Sequence, residues 1–174
     1  MSESVHKHRE SAPETVRVAV LTISDTRTQE NDTGGDTIEE LMRAAGHEVV
    51  ERTIVRDDAS AIRTVLVNLL ANSEVDAVIT TGGTGISARD TTYEVVDRMV
   101  EKRLDGFGEI FRMLSYEEIG AAAILSRAIA GAVGTKLVAS LPGSRNGVRL
   151  AVQKLLVPEI AHIVFELRKH QESR

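Results

Sequence analysis

The chain reads as an α/β protein whose mainly parallel sheet is covered by helices on both faces. Two patterns predict this. Short apolar runs rich in Val, Ile and Leu recur at 16–24, 47–55, 77–81 and 136–141, as strands buried on both faces require. Between them, apolar residues return every three or four positions, the spacing of one helix face. Strand and helix in alternation make parallel neighbours joined by right-handed crossovers.

Residues 1–14 are polar and charged and read as a floppy leader. His6 and His8 there could bind a metal; the blander reading is that they are simply solvated. Val16 to Ser24 is the first strand, followed by a polar loop from Asp25 to Gly35. Ile38, Leu41, Met42 and Ala45 then mark a helix. Asp36 and Glu39 have the spacing of a capping pair at its start, and Gly46 is a natural stop. His47 to Val55 forms the second strand. Ile62, Val65, Leu66, Leu69 and Leu70 define a second amphipathic helix. Ala77 to Thr81 is a short buried strand that breaks into Gly82-Gly83-Thr84-Gly85. Thr91 and Glu94 are spaced as a capping box for a helix burying Val95, Val96, Met99 and Val100. Residues 106–134 read as helical pieces, with Ser115 and Glu118 as another capping pair. Lys136 to Leu141 is a strand ending in Pro142-Gly143. Ser144 is placed to cap a last helix, which Pro158 kinks or restarts, and 169–174 read as a flexible tail.

At 174 residues the chain suits a single domain, 15–168. Only 3% of residues are aromatic, so aliphatic side chains must fill the core. A net charge of −5 disfavours general nucleic-acid binding, which needs clustered cations. The absence of cysteine excludes disulfides, thiolate metal sites and thiol catalysis. With no apolar run long enough to span a bilayer and no signal-like apolar stretch at the start, no membrane partner and a cytoplasmic location are expected.

In an open parallel sheet, ligands bind beyond the carboxyl ends of the strands. Three strands here end in unusual loops: Ser24-Asp25, Thr80 to Gly85, and Leu141 to Ser144. Gly82, Gly83 and Gly85 allow close approach of backbone to a ligand, and their N–H groups can cradle phosphate. Thr81 and Thr84 add hydroxyls. The rival reading, a plain strand-to-helix turn, is about equally good for a lone glycine-rich loop. The pattern is neither a Walker loop nor the spaced dinucleotide fingerprint. Arg89 could pair with phosphate, and Asp90 could hold phosphate-bound Mg2+ or only complement a helix dipole. Local sequence favours N-capping for Asp57 and Asp58, yet Asp57 and Asp90 could share one metal–phosphate site. Pro142, Gly143 and Ser144 form either a turn and cap or an anion-binding helix start. Glu109 on its own evidence is a solvated residue, and Arg127 an interface residue of an Ala-rich helix.

Several motifs in order resemble the molybdopterin-binding MoaB/Mog family. They are Leu21-Thr-Ile-Ser-Asp25, Asp32-Thr-Gly-Gly35, Thr80-Thr-Gly-Gly-Thr-Gly-Ile-Ser-Ala-Arg-Asp90, Gly106-Phe-Gly-Glu-Ile-Phe-Arg-Met-Leu-Ser-Tyr-Glu-Glu-Ile-Gly120, Ile124-Leu-Ser-Arg-Ala128 and Leu141-Pro-Gly-Ser144. The resemblance runs from about Val16 to the last helix, and the Phe-Arg-Met-Leu-Ser-Tyr segment is similar to the B-type branch. Arg145-Asn146 departs from the pattern, where relatives often carry Pro.

The resemblance implies a three-layer α/β/α sandwich with a mainly parallel sheet, trimers or hexamers, and molybdopterin as ligand. It also implies transfer of AMP from Mg-ATP to the molybdopterin phosphate. The two family aspartates fall on Asp57 and Asp90, as catalytic residues and Mg2+ ligands. The expected binding residues are Ser24, Asp25, Thr81, Gly82, Gly83, Thr84, Gly85, Arg89, Glu109, Pro142, Gly143 and Ser144. The alternative is a non-catalytic molybdopterin binder or carrier, and a third reading is a scaffold whose loops serve assembly. Both aspartates are kept here, although some B-type relatives have lost acidic residues at these places.

Overall fold

The computed structural model describes residues 12–169. The residues of the leader before 12, with His6 and His8, and of the tail after 169 lie outside the described part. β1 (Arg17–Ile23) is followed by α1 (Thr33–Ala44), β2 (Glu48–Val55), α2 (Ala59–Ala71), β3 (Ala77–Thr81) and α3 (Thr92–Met99). Next come β4 (Lys102–Arg103), α4 (Asp105–Ile119), a 3-10 turn (Gly120–Leu125), β5 (Ile129–Val133) and β6 (Lys136–Leu141). The chain closes with α5 (Arg145–Ala151), a π-turn (Val152–Leu156) and α6 (Val157–Arg168).

The sheet order is β2-β1-β3-β6-β5-β4. The first four strands are parallel, while β5 runs antiparallel to both β6 and β4. Alternation along β1 explains the two packed layers. Val16, Val18 and Val20 face the apolar sides of α1, α5 and α6, and Ala19, Leu21 and Ile23 face Ile62 and Leu66 of α2 with Val95 and Val96 of α3. The three-layer sandwich expected from the sequence is therefore present. Among the described residues no helix is long and apolar enough to cross a membrane.

Four local expectations change. α1 begins earlier than expected: its cap is Asp32, whose Oδ1 accepts from Gly35 N at 3.0 Å, while Asp36 and Glu39 turn to Arg52 on β2. The stretch 106–134 is one long helix, a 3-10 turn and a strand. Ser115 sits inside α4 and donates back to Phe111 O at 2.8 Å, so it caps nothing. β5, Ile129-Ala-Gly-Ala-Val133, is a strand of mostly small residues where the sequence predicts helix; Gly131 lets β4 approach, since a Cβ there would lie 2.5 Å from Lys102 O. The restart expected at Pro158 takes the form of the π-turn just before it, in a helix that otherwise continues.

Candidate functional site

The three strand-end loops converge. Gly82 N donates to Leu141 O at 3.2 Å and Thr81 Oγ1 to Pro142 O at 2.9 Å, which ties the β3 and β6 ends together. Ser24 N donates to Val55 O at 2.8 Å and ties β1 to β2. Ser24 Oγ then accepts from the backbone N–H groups of Thr26 and Arg27 at 3.2 and 3.1 Å, closing the turn after β1. Between these loops lies a depression of ≈ 220 Å³ containing Ser24, Arg27, Asp32, Thr81, Gly82, Gly83 and Gly143, among others. Ser24 and Arg27 also line a wider adjoining groove of ≈ 530 Å³, with Asp25 and Arg56.

Glycine is required at the head of the β3 loop. Gly82 has φ +97° and a Cβ there would fall 2.3 Å from Ile23 O; Gly83 has φ +63° and its Cβ would fall 2.2 Å from Thr92 Oγ1 and 2.8 Å from Asp57 Oδ2. A side chain fits neither the dihedral nor the space.

The two aspartates stand behind this loop. Asp58, not Asp57, caps α2, accepting from Ala61 N at 2.8 Å. Asp57 instead reaches across to the start of α3, where its Oδ1 accepts from Thr91 Oγ1 at 3.0 Å and Thr91 N at 3.3 Å. The capping box expected of Thr91 and Glu94 is thereby undone. Thr91 makes no side-chain cap bond, and Glu94 pairs with Arg127 at 2.7 Å. A carboxylate and a guanidinium offer each residue a stronger partner than a neutral backbone group. Asp90 closes its own turn, Oδ2 accepting from Ser87 Oγ at 2.5 Å and Ser87 N at 2.9 Å. The Ser87 hydroxyl is the main reason the Asp90 carboxyl is held below its usual range. Partial burial opposes this, and the N–H groups of Ser87 and Gly85 and the charge of Arg127 reinforce it.

The structure thus brings Ser24, Thr81, Gly82, Gly83 and Gly143 to the depression and Asp25 to the adjoining groove. Arg89 is ion-paired with Asp25. Thr84, within the loop, is buried. Gly85 packs on the Asp90 carboxylate, which would lie 2.7 Å from a Cβ there. Pro142 and Ser144 line a separate small cleft between α4 and α5, and the Ser144 hydroxyl caps α5 by accepting from Gly147 N at 3.2 Å. Glu109 is exposed on α4 and does not line the depression.

Sequence reasoning missed Asp32, Thr22, Arg27 and Gly34 as lining residues. Asp32 is 2% exposed, and its Oδ2 accepts from Thr22 Oγ1 at 2.7 Å and Arg52 Nη2 at 3.1 Å. The signal was available, since Asp before Thr-Gly-Gly is a helix N-cap pattern.

Comparison with known proteins agrees with this geometry. Residues 19–162 match the family model described as "Probable molybdopterin binding domain". Molybdenum cofactor biosynthesis protein B of Bacillus cereus is 49% identical over 167 residues, 95% of this chain and 99% of that protein. A solved structure of a molybdenum cofactor biosynthesis protein B superposes with a TM-score of 0.89 at 49% identity, covering 91% of this chain and 99% of its own. The tungsten cofactor synthesizing protein MoaB from Pyrococcus furiosus superposes with a TM-score of 0.82 at 39% identity, covering 90% and 99%. The glycine-rich strand ends, the sheet that presents them and the match across most of the chain agree: the protein belongs to the molybdopterin-binding domain family.

Proposed function

We propose that the chain acts in molybdenum cofactor biosynthesis, holding molybdopterin at the strand-end depression and transferring AMP from Mg-ATP to its terminal phosphate. The observation that carries this reading is the placing of two carboxylates, Asp57 and Asp90, directly behind the glycines of a loop that opens α3. Backbone N–H groups of that loop and the helix start favour phosphate. An oxygen of the molybdopterin phosphate attacks the α-phosphorus of ATP. The new P–O bond forms as the bond to the β-phosphate oxygen breaks, and pyrophosphate leaves with the electron pair. The protein's part is positioning and charge compensation.

The donor set suits Mg2+, a hard cation held by one or two carboxylates together with substrate phosphates. Asp57 Oδ2 faces Gly83 and accepts no hydrogen bond among the described residues. No group of three or more His, Asp or Glu among the described residues is placed to hold a metal, so substrate oxygens would complete the shell. Mg2+ bound there would neutralise charge on the phosphates.

The test is pyrophosphate release from Mg-ATP with freshly prepared molybdopterin. Release that needs molybdopterin, and falls about a hundredfold or more in Asp57→Ala and Asp90→Ala, is expected. Asp90→Asn is expected to keep molybdopterin binding. One observation favours the second reading, a binder without turnover: Asp90 Oδ2 is already spent on Ser87. No release from a protein that still binds molybdopterin would establish that reading.

We also infer self-association into trimers or hexamers. Ile110, Met113, Tyr116, Ile119, Ile124 and Leu125 form an exposed apolar face on α4 and its 3-10 extension, and Ile124 is 85% exposed. Sedimentation of Ile124→Glu against wild type tests it.

A further inference from the structure

Arg127 does not line the depression, yet it grips the helix beside the acidic pair. Arg127 lies two residues before β5, whose first residue, Ile129, belongs to the sheet face covered by α2 and α3. There its guanidinium sits 4.3 Å from the centre of the Tyr93 ring, and Nη2 donates to Glu94 Oε1 at 2.7 Å. Tyr93 and Glu94 lie in the first turn of α3, which begins at Thr92 right after Thr91, and Thr91 donates to Asp57. Asp90 directly precedes Thr91 in the chain. Arg89, the other nearby cation in sequence, is turned to Asp25. Arg127 Nε and Glu94 Oε2 remain buried without a partner. The fork is therefore not closed on Glu94; the ring and the carboxylate together set where the guanidinium lies.

We propose that Arg127 is a positioning residue for the acidic pair, gripping the first turn of α3 so that Asp57 and Asp90 keep their places behind the glycine-rich loop. The kinetic part of this proposal rests on the adenylyl-transfer reading, and its structural part does not.

The experiment follows amide hydrogen exchange at the start of α3, where Thr92 N donates to Gly83 O at 2.9 Å and Val95 N to Thr91 O at 3.0 Å, in wild type, R127Q and R127K. Both variants are expected to exchange the Thr92 and Val95 amides about fivefold or more faster than wild type, while amides of β1 keep their rates. In molybdopterin-dependent pyrophosphate release, R127K is expected to lose about tenfold in kcat while KM for ATP changes by less than about twofold, because an ammonium cannot lie flat on the Tyr93 ring and reach Glu94 at once. A folded R127Q with wild-type exchange at these amides overturns the grip, and so does an R127K with wild-type kcat. If R127Q does not fold, Tyr93→Leu, which keeps the cation and removes the ring, is expected to lower kcat in the same way; a wild-type kcat there overturns the grip. If the wild-type protein releases no pyrophosphate, the transfer reading falls, and amide exchange in R127Q still decides the grip.

Discussion

Gly82→Ala separates two costs that the strand-end loop imposes. The Cβ would lie 2.3 Å from Ile23 O, a backbone atom of the central sheet, and φ is +97°. An ordinary C···O contact is about 3.3 Å, so the loop must move by roughly 1 Å. A non-glycine residue at positive φ costs about 1–2 kcal/mol, and forced overpacking adds about 1–3 kcal/mol. The expected loss is therefore about 2–5 kcal/mol. Gly134→Ala supplies the control, because Gly134 has φ +57° and nothing lies within 4 Å of its added Cβ. That variant should lose only the dihedral cost, about 1–2 kcal/mol. Urea unfolding of both variants at one protomer concentration, with m-values compared, measures the difference. If Gly82→Ala is destabilised no more than Gly134→Ala, within about 0.5 kcal/mol, the collision argument and the reason given for glycine at 82 are wrong.

Two further outcomes test other parts of the structure. Asp32→Ala removes the α1 cap and strands the buried Thr22 hydroxyl, so a loss of about 2–4 kcal/mol is expected, whereas Asp32→Asn should recover the cap and part of that loss; thermal unfolding of the pair, with equal losses in both, would show that the cap is not the source. His47 is 9% exposed and its Nδ1 accepts from Val16 N at 3.4 Å. Burial lowers its pKa, so the unfolded chain takes up the proton first and stability should fall as pH drops below about 6.5. In His47→Gln that part of the acid-side slope should vanish from urea midpoints measured between pH 7 and 5, and an unchanged slope would assign it to other groups.

The sequence by itself determined the four parallel strands, the helices between them and the edge at which the glycine-rich strand-end loops gather. Those features follow from local periodicity and from glycine at strand ends, which neighbouring residues alone can encode. Tertiary structure decided the rest. β5 emerged only because small residues such as Gly131 let two strands close around them, and Ala and Gly carry no local preference for a strand. The partners of the charged and hydroxyl groups were likewise invisible. Thr91 and Glu94 had the spacing of a capping box, but Asp57, 34 residues before Thr91, and Arg127, 33 residues after Glu94, claimed their side chains. A polar group takes the strongest partner the fold brings within reach, and a one-dimensional spacing cannot say which partner that will be.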